Sequence, residues 1–473
     1  MTHIIAGWGG VDITPPGPIA LGGFGQRAGD VSAGVHDRLI AQALFLSSGE
    51  SRLLFVTTDL VCIPTDLADT VTDRIIQAGI VGFDEICLAA SHTHAGPEVM
   101  EFFVRTETVT SYLEELEERL VAVCREAAGT ARPCRARCGV GAVDFLFNRR
   151  TLGEPNRVDE RTFALELQAT DGSGPSAVLF GCGCHPVTLG HDNMLISADY
   201  PGYARTYLKK RTGAETALFF NMVEGNVIPN TRPRYDSLDT RGYRGGSFED
   251  AERIGRALAD AVTDSLTHAA WEDSIPLGVM KRVCNVSPNL FEMTLEEAGY
   301  RLAESQGIIA EYIGNDFTKF TAEDLTPLST MWRDASREVE KRNLREDDMR
   351  RLMSGVCTYF VMLQKLFNPA MQERTTLPVQ VIRFGKYLFL TLPGEVMVEA
   401  GLNWRDRNRS RGAAGFVIGL ANGYVGYLPH SSNFEEAGAE YKYETIMNAL
   451  EPKAVDIALD QAMEMVAALF GEA

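Results

Sequence analysis

The stretch Glu85-Ile86-Cys87-Leu88-Ala89-Ala90-Ser91-His92-Thr93-His94-Ala95-Gly96-Pro97 governs how the rest of the chain is read. Its first half is a short, unbroken apolar run, the pattern of a strand buried on both faces. Its second half places two histidines two residues apart, where Gly96-Pro97 ends the strand. In extended geometry residues i and i+2 point to the same side. One imidazole can therefore bind a metal while the other meets a substrate or an attacking water. A histidine pair at a strand end is equally compatible with simple packing, and the motif by itself leaves both readings open.

Working outward, Gln42–Ser47 and Leu53–Thr58 form apolar-rich runs around Gly49-Glu50, which predicts a hairpin. A helix is expected over about 66–78, capped by Thr65 and stopped by Gly79, with Leu67, Val71 and Ile75 on one face. A second helix is expected over about 110–128. Strand runs recur at Ala177–Phe180, Ala217–Phe220, Leu377–Phe384, Tyr387–Thr391 and Gly415–Leu420, and a last helix over about 453–470. Strand and helix signals alternate for most of the length, which argues for a mixed α/β domain. Residues of about 290–370 differ, being charged and helical in pattern, and read as a helical insertion or lid within a single domain spanning 1–473.

Polar residues gather just beyond the apolar strands. His92 follows Ala90, His185 follows Gly181-Cys182-Gly183-Cys184, Glu395 follows Pro393-Gly394, and Tyr427 closes Asn422-Gly423-Tyr424-Val425-Gly426. Strand ends with tight Gly/Pro turns are where a rigid sheet presents functional side chains. Histidine and carboxylate are the usual nitrogen and oxygen ligands of zinc. Taken singly, His185 before Pro186 also reads as a structural histidine, and Glu395 as the acidic cap of a following helix.

Net charge is −19 over 473 residues, with 45% hydrophobic residues. That excess of acid argues against nucleic acid and anionic membrane partners, which reward clustered Lys and Arg. No apolar run approaches the roughly 20 residues of a membrane helix. The opening MTHIIAGWGGVDITPP lacks a basic segment followed by a long apolar one, so no secretory leader is expected and a cytoplasmic location is. Nine cysteines without paired metal-type spacing read as reduced, mostly buried thiols.

Several motifs in order carry a resemblance. They are Gly9-Gly10-Val11-Asp12-Ile13-Thr14-Pro15-Pro16, Gly22-Gly23-Phe24-Gly25, Val35-His36-Asp37, Ser91 to Pro97, Asn148-Arg149, His185-Pro186, Ile196 to Gly202, Pro393-Gly394-Glu395 and Asn422 to Tyr427. Together they resemble the N-terminal catalytic domain of the neutral (non-lysosomal) ceramidases and their shorter bacterial relatives. The resemblance implies two packed mixed β-sheets flanked by helices. It implies one Zn2+ held by His92, His185, Glu395 and Tyr427, with Tyr424 the nearest competitor of Tyr427. His94 would face the reacting carbonyl, and Arg149 would bind an anionic or polar substrate group. One departure stands out. Where ceramidases carry Gly-Asp-Val-Ser-Pro-Asn, this chain has Gly225-Asn226-Val227-Ile228-Pro229-Asn230, so a step that needs that serine hydroxyl is excluded. Glu224 is the candidate polar group in its place, and Asp199 or His36 are candidates to orient a ligand.

The expected activity is a zinc-dependent amidohydrolase that cleaves the amide of a small polar N-acyl compound through zinc-activated water. An esterase or lactonase, a metal-dependent isomerase or lyase, and a non-catalytic binding protein are the alternatives. The expected partner is a small-molecule substrate, in a chain compatible with association of identical copies.

Overall fold

In the computed structural model, residues 3–472 are described, apart from 25, 26, 28, 101–105, 151–155, 172–175, 232–245, 289–294, most of 314–375, 437, 438, 440 and 441. Eight strands make the larger sheet: β1 (Ile4–Asp12), β2 (Ile40–Ser48), β3 (Ser51–Thr58), β4 (Ile86–Ala90), β5 (Arg132–Ala142), β6 (Arg161–Ala169), β7 (Ala177–Cys182) and β8 (Thr216–Asn221). Their order is β8-β7-β6-β5-β1-β2-β3-β4. The outer pairs β8/β7 and β3/β4 are parallel and the inner ones antiparallel, so the sheet is mixed. A second sheet follows, β9 (Leu277–Asn285), β10 (Thr376–Phe384), β11 (Tyr387–Thr391) and β12 (Ala414–Ile418), in sequential order.

Alternation along the strands explains the layers. On β2, Ala41 and Ala43 enter one cluster while Leu44 and Leu46 enter another. Leu44, Leu46, Phe55, Phe163 and Phe220 of the first sheet share that second cluster with Phe384, Phe389, Phe416 and Ile418 of the second. The two sheets therefore pack face to face over an aromatic core, with Phe163 edge-on to Phe389 at 4.8 Å between centroids. The opposite faces are covered by helices. Helices α1 (Thr65–Gln77) and α2 (Glu107–Gly129) contribute Val71, Ile75, Leu116 and Leu120 beside Ala41, Ala43, Leu54 and Val56. Helices α3 (Asp199–Thr212) and α4 (Phe248–Thr267) contribute Ala204, Leu208, Ile254 and Leu258 beside Val178, Phe180 and Phe219. Of two further helices, α6 (Val398–Asn408) contacts β12 and α7 (Ala454–Leu469) contacts β9 and β10. The result is two packed mixed sheets flanked by helices. Gly7 lets α2 lie directly on β1, since a Cβ there would come within 2.2 Å of the Ala127 carbonyl oxygen.

The strands the sequence reading found lie within a few residues of the expected bounds, and of the two main sheets Ile4–Asp12, Arg132–Ala142, Arg161–Ala169 and Leu277–Asn285 are additional to it. Thr65 is the first residue of α1 rather than its cap: the preceding Pro64 occupies that place and no side chain caps the helix. Thr106 does cap α2, accepting from the Val109 amide at 3.3 Å. The expected insertion leaves the second sheet after Asn285 and returns at Thr376, its direct antiparallel partner. Within it α5 (Leu295–Ile313) is described, and most of the rest lies outside the described residues. No described helix is long and apolar enough to cross a membrane. No disulfide joins the described cysteines, and all but Cys138 are buried.

Just past β3, Asp59 is 1% exposed and accepts two bonds from Arg205 of α3, at 2.6 and 2.5 Å, plus the Ile40 amide at 2.8 Å. Removing one charge leaves its buried partner uncompensated, which costs about 3–5 kcal/mol. Asp59→Asn is accordingly expected to lower unfolding free energy by about that amount, as read from urea midpoints.

Candidate metal centre

The larger sheet curls until its two edge strands, β4 and β8, meet at their C-terminal ends. There Asn221 donates from Nδ2 to the Ser91 carbonyl at 2.9 Å, beside His92. The loop after β12 closes the same corner. The Asn422 side chain accepts from the Leu88 amide at 3.0 Å and its own amide donates to the Leu88 carbonyl at 2.7 Å. Three strand ends thereby converge on one point.

His92 stands there with φ of 73°, a left-handed conformation that costs a non-glycine residue energy and recurs at functional sites. Its Nδ1 faces the Val61 carbonyl at 2.5 Å. His185 repeats the arrangement, its Nδ1 facing the Glu224 carbonyl at 2.6 Å. A carbonyl oxygen only accepts, so both rings donate from Nδ1 and turn Nε2 toward the cluster. Those nitrogens converge. His185 Nε2 lies 3.1 Å from Glu395 Oε2, and His92 Nε2 lies 3.4 Å from the same oxygen. His94 Nε2 stands 3.1 Å from His92 Nε2, and the three imidazoles offer nitrogens all within 4.8 Å of one another. All four residues are buried.

Burial pushes the His94 imidazole well below its ordinary range, with His92 and His185 adding to the shift. Burial likewise lowers His185 to about 4. Burial opposes ionisation of Glu395, but the two histidines His92 and His185 together override it and hold the carboxyl well below its usual value. At neutral pH the cluster is two neutral imidazoles and an ionised carboxylate around His92. Imidazole nitrogens and a carboxylate gathered this closely in a buried corner form a donor set that suits a cation.

The two tyrosines divide. Tyr424 donates its hydroxyl to Glu395 Oε1 at 2.6 Å. Tyr427, paired with Glu395 in a short parallel bridge, accepts from Arg149 Nη2 at 3.0 Å. Burial first, then Glu395, raises both phenols well above their ordinary range. Arg149 also reaches the Gly225 carbonyl at 2.9 Å and pairs with fully buried Glu444, which binds Arg150 as well at 2.5 Å. Glu224 is fully buried with neither carboxylate oxygen partnered among the described residues, and burial raises its carboxyl well above the ordinary value. Ile228 is 1% exposed and pairs with Phe147.

His36 and Asp199 do not orient a ligand. His36 is exposed, stacked on Phe248 at 3.7 Å, and Asp199 accepts the Leu189 and Tyr200 amides. Backbone carbonyls of Val61 and Glu224 do that work instead. Sequence reading also passed over Asn221, Glu444 and Arg27. Arg27 is 2% exposed and spends its guanidinium on the carbonyls of Gly22, His94, Gly190, His191 and Asn193. A Cβ on the neighbouring Gly23 would lie 2.3 Å from the His94 ring, and Phe24 stands edge-on to that ring at 4.7 Å. The Gly22-Gly23-Phe24 motif is therefore the steric seat of His94.

The chain is similar to three neutral ceramidases. It shares 22% identity over 467 residues with that of Mycobacterium tuberculosis (90% of this chain, 70% of the relative). It shares 22% over 460 residues with that of Pseudomonas aeruginosa (87% and 64%). With neutral ceramidase A of Dictyostelium discoideum it shares 26% over 257 residues, 48% of this chain and 36% of that protein. The crystal structure of the Pseudomonas aeruginosa enzyme superposes with a TM-score of 0.68 at 19% identity, covering 99% of this chain and 75% of the other. The fold is the neutral ceramidase fold. A ceramidase complexed with C2 superposes equally well, at 0.68. No protein-family profile matches the chain. The neutral ceramidase likeness thus runs through most of this chain, while this chain spans as little as 36% of the relatives' own length.

Behind His94, Glu98 accepts the Met100 amide at 3.0 Å, and burial raises its carboxyl to about 7. The folded state then holds a proton that the unfolded chain has released, so stability from this group falls as pH rises from its ordinary 4.5 through about 7. Glu98→Gln cannot titrate. Its melting temperature relative to the parent is expected to rise between about pH 5 and pH 8, as read by thermal unfolding of both proteins across that range.

Proposed function

We propose that this chain is a zinc-dependent hydrolase of amide bonds, acting on a small polar N-acyl compound. The observation that carries the reading is the convergence of the Nε2 atoms of His92 and His185 on the Glu395 carboxylate, with His94 alongside. The likeness to neutral ceramidases, enzymes named for cleaving ceramide, supports the same class of bond.

His92, His185 and Glu395 would hold the ion, with the Tyr427 oxygen as a fourth donor. Nitrogen and carboxylate oxygen are the donor set zinc takes in hydrolases. When bound, the ion supplies a Lewis acid that polarises a carbonyl and brings the pKa of water to about 7. Arg149 beside the Tyr427 oxygen favours negative charge on that phenol, offsetting what burial costs it. Tyr424 fixes the second oxygen of Glu395, so the carboxylate turns Oε2 toward the histidines.

His94 has a separate task. Its Nδ1 is buried with no hydrogen-bond partner among the described residues, and its ring is held by contact with Gly23 and Phe24. A neutral imidazole so placed can hydrogen-bond the oxygen that gains charge, or carry a proton to the leaving nitrogen. Arg149 and Arg150 both pair with the Glu444 carboxylate, so guanidinium charge stands beside the centre. That charge suits a substrate with a carboxylate or phosphate near the scissile amide.

His92→Ala and His185→Ala are each expected to abolish bound zinc and turnover, and full zinc in either by elemental analysis would refute the ligand assignment. His94→Ala is expected to keep the metal and lose about 100- to 1000-fold in turnover. Turnover is to be followed on a panel of N-acyl amino acids with a fluorogenic ceramide beside it. In 18O-labelled water the released acid is expected to carry the label. Unlabelled product would point to isomerase or lyase chemistry.

A further inference from the structure

Asn221 ends β8, an edge strand, and is fully buried. Its side chain has two donor hydrogens and one acceptor oxygen, and it uses all of them on backbone. Nδ2 donates to the Ser91 carbonyl at 2.9 Å and to the Cys184 carbonyl at 3.1 Å. Oδ1 accepts the Cys184 amide at 3.2 Å and the Met222 amide at 3.1 Å. Because every partner is a backbone group of fixed polarity, the amide has one orientation. Ser91 immediately precedes His92 and Cys184 immediately precedes His185. Ser91 follows β4, which lies at the far edge of the eight-stranded sheet from β8. No β-ladder hydrogen bond joins those edges, so the spacing of the two imidazoles depends on what bridges the corner.

We infer that Asn221 is a positioning residue of the metal centre: it joins the two histidine-bearing segments and sets the separation of His92 from His185. The Asn221 amide is related to the two ligands as second partners of metal-bound residues are, although it acts through the preceding backbone. Loss of such partners typically weakens metal binding about 10- to 100-fold. Its contribution to the fold alone would instead appear as lowered stability with unchanged affinity in the molecules that remain folded.

The inference rests on the zinc reading above, and its test uses zinc alone, without substrate. Metal-free parent, Asn221→Asp and Asn221→Ala are titrated with Zn(II) against a chromophoric chelator, well below their melting temperatures. Asn221→Asp keeps the shape but turns an acceptor toward the Ser91 and Cys184 carbonyls. Leu208→Ala, a truncation in the helix layer, serves as a control for general destabilisation. The expected result is a Kd for Zn(II) raised about 10- to 100-fold in both Asn221 variants, with parent-like affinity in Leu208→Ala. Should both variants fail to fold, Asn221→Ser, which keeps one hydroxyl, is expected to show the same weakening. Parent-like affinity in a folded Asn221 variant overturns the assignment, as does equal weakening in Leu208→Ala. A parent that takes up no Zn(II) overturns the metal reading itself, which a parent-like variant would not.

Discussion

The structure depends on bringing together two edges of one sheet that are seven strands apart. A flat eight-stranded sheet would hold β4 and β8 far from each other, and twist alone does not decide how closely their ends approach. Here the second sheet fills the concave face with Phe389 and Phe416, packed against Phe163 and Phe220. Asn221 and Asn422 then satisfy backbone groups at the meeting corner that no ladder reaches. The aromatic filling sets the curvature, and the amides set the register of the ends. Glu395 and Tyr427 arrive on a separate two-stranded ladder beyond β11 and β12, so the larger sheet does not hold the centre by itself.

A buried corner with this much polarity is stable only because nearly every group is matched. Val61 and Glu224 carbonyls absorb the Nδ1 protons, Tyr424 absorbs one Glu395 oxygen, and Glu444 balances Arg149 and Arg150. What remains unmatched is therefore informative. Among the described residues the unsatisfied set at this corner includes His94 Nδ1 and the Glu224 carboxyl. His94 is held by Gly23 and Phe24 rather than through that nitrogen. The Glu224 carboxyl does not need an ionic partner, because burial favours its neutral form. Its backbone carbonyl, rather than its acid, does visible work by fixing the His185 tautomer.

Much of this was legible in the sequence, for physical reasons that also explain what was not. Strands β4, β7 and β8 are unbroken apolar runs because both their faces are buried, and they announce themselves. The histidines and Glu395 stand out because they interrupt such runs at Gly and Pro. By contrast β1 carries Gly7, Gly9 and Gly10, which admit the close approach of α2 but erase the strand signal. Strand β5 carries Arg132, Arg135 and Arg137, whose guanidinium groups lie over Trp8 and Trp271, so the strand reads as charged where it is in fact packed. Helix α3 has a weak apolar stripe because Asp199, Pro201 and Arg205 are among its buried residues. Asn221 was illegible in principle. Its partners are backbone atoms as much as 130 positions away, and any residue type can supply those.

The departure at residue 228 then takes on a definite meaning. Ile228 is not a pocket residue waiting for a polar replacement. It belongs to a short antiparallel bridge with Phe147 and is 1% exposed, while the flanking Val227 carbonyl accepts the His185 amide at 2.9 Å. The segment therefore seats His185 through its backbone, while position 228 presents no hydroxyl. Arg149, whose amide donates to the Asn226 carbonyl, is held by this same segment. In the proposed hydrolase, binding chemistry at this corner would accordingly fall to guanidinium and phenol rather than to a hydroxyl at position 228. Chemistry at the carbonyl would fall to the imidazole of His94 and to the ion that His92, His185 and Glu395 would hold.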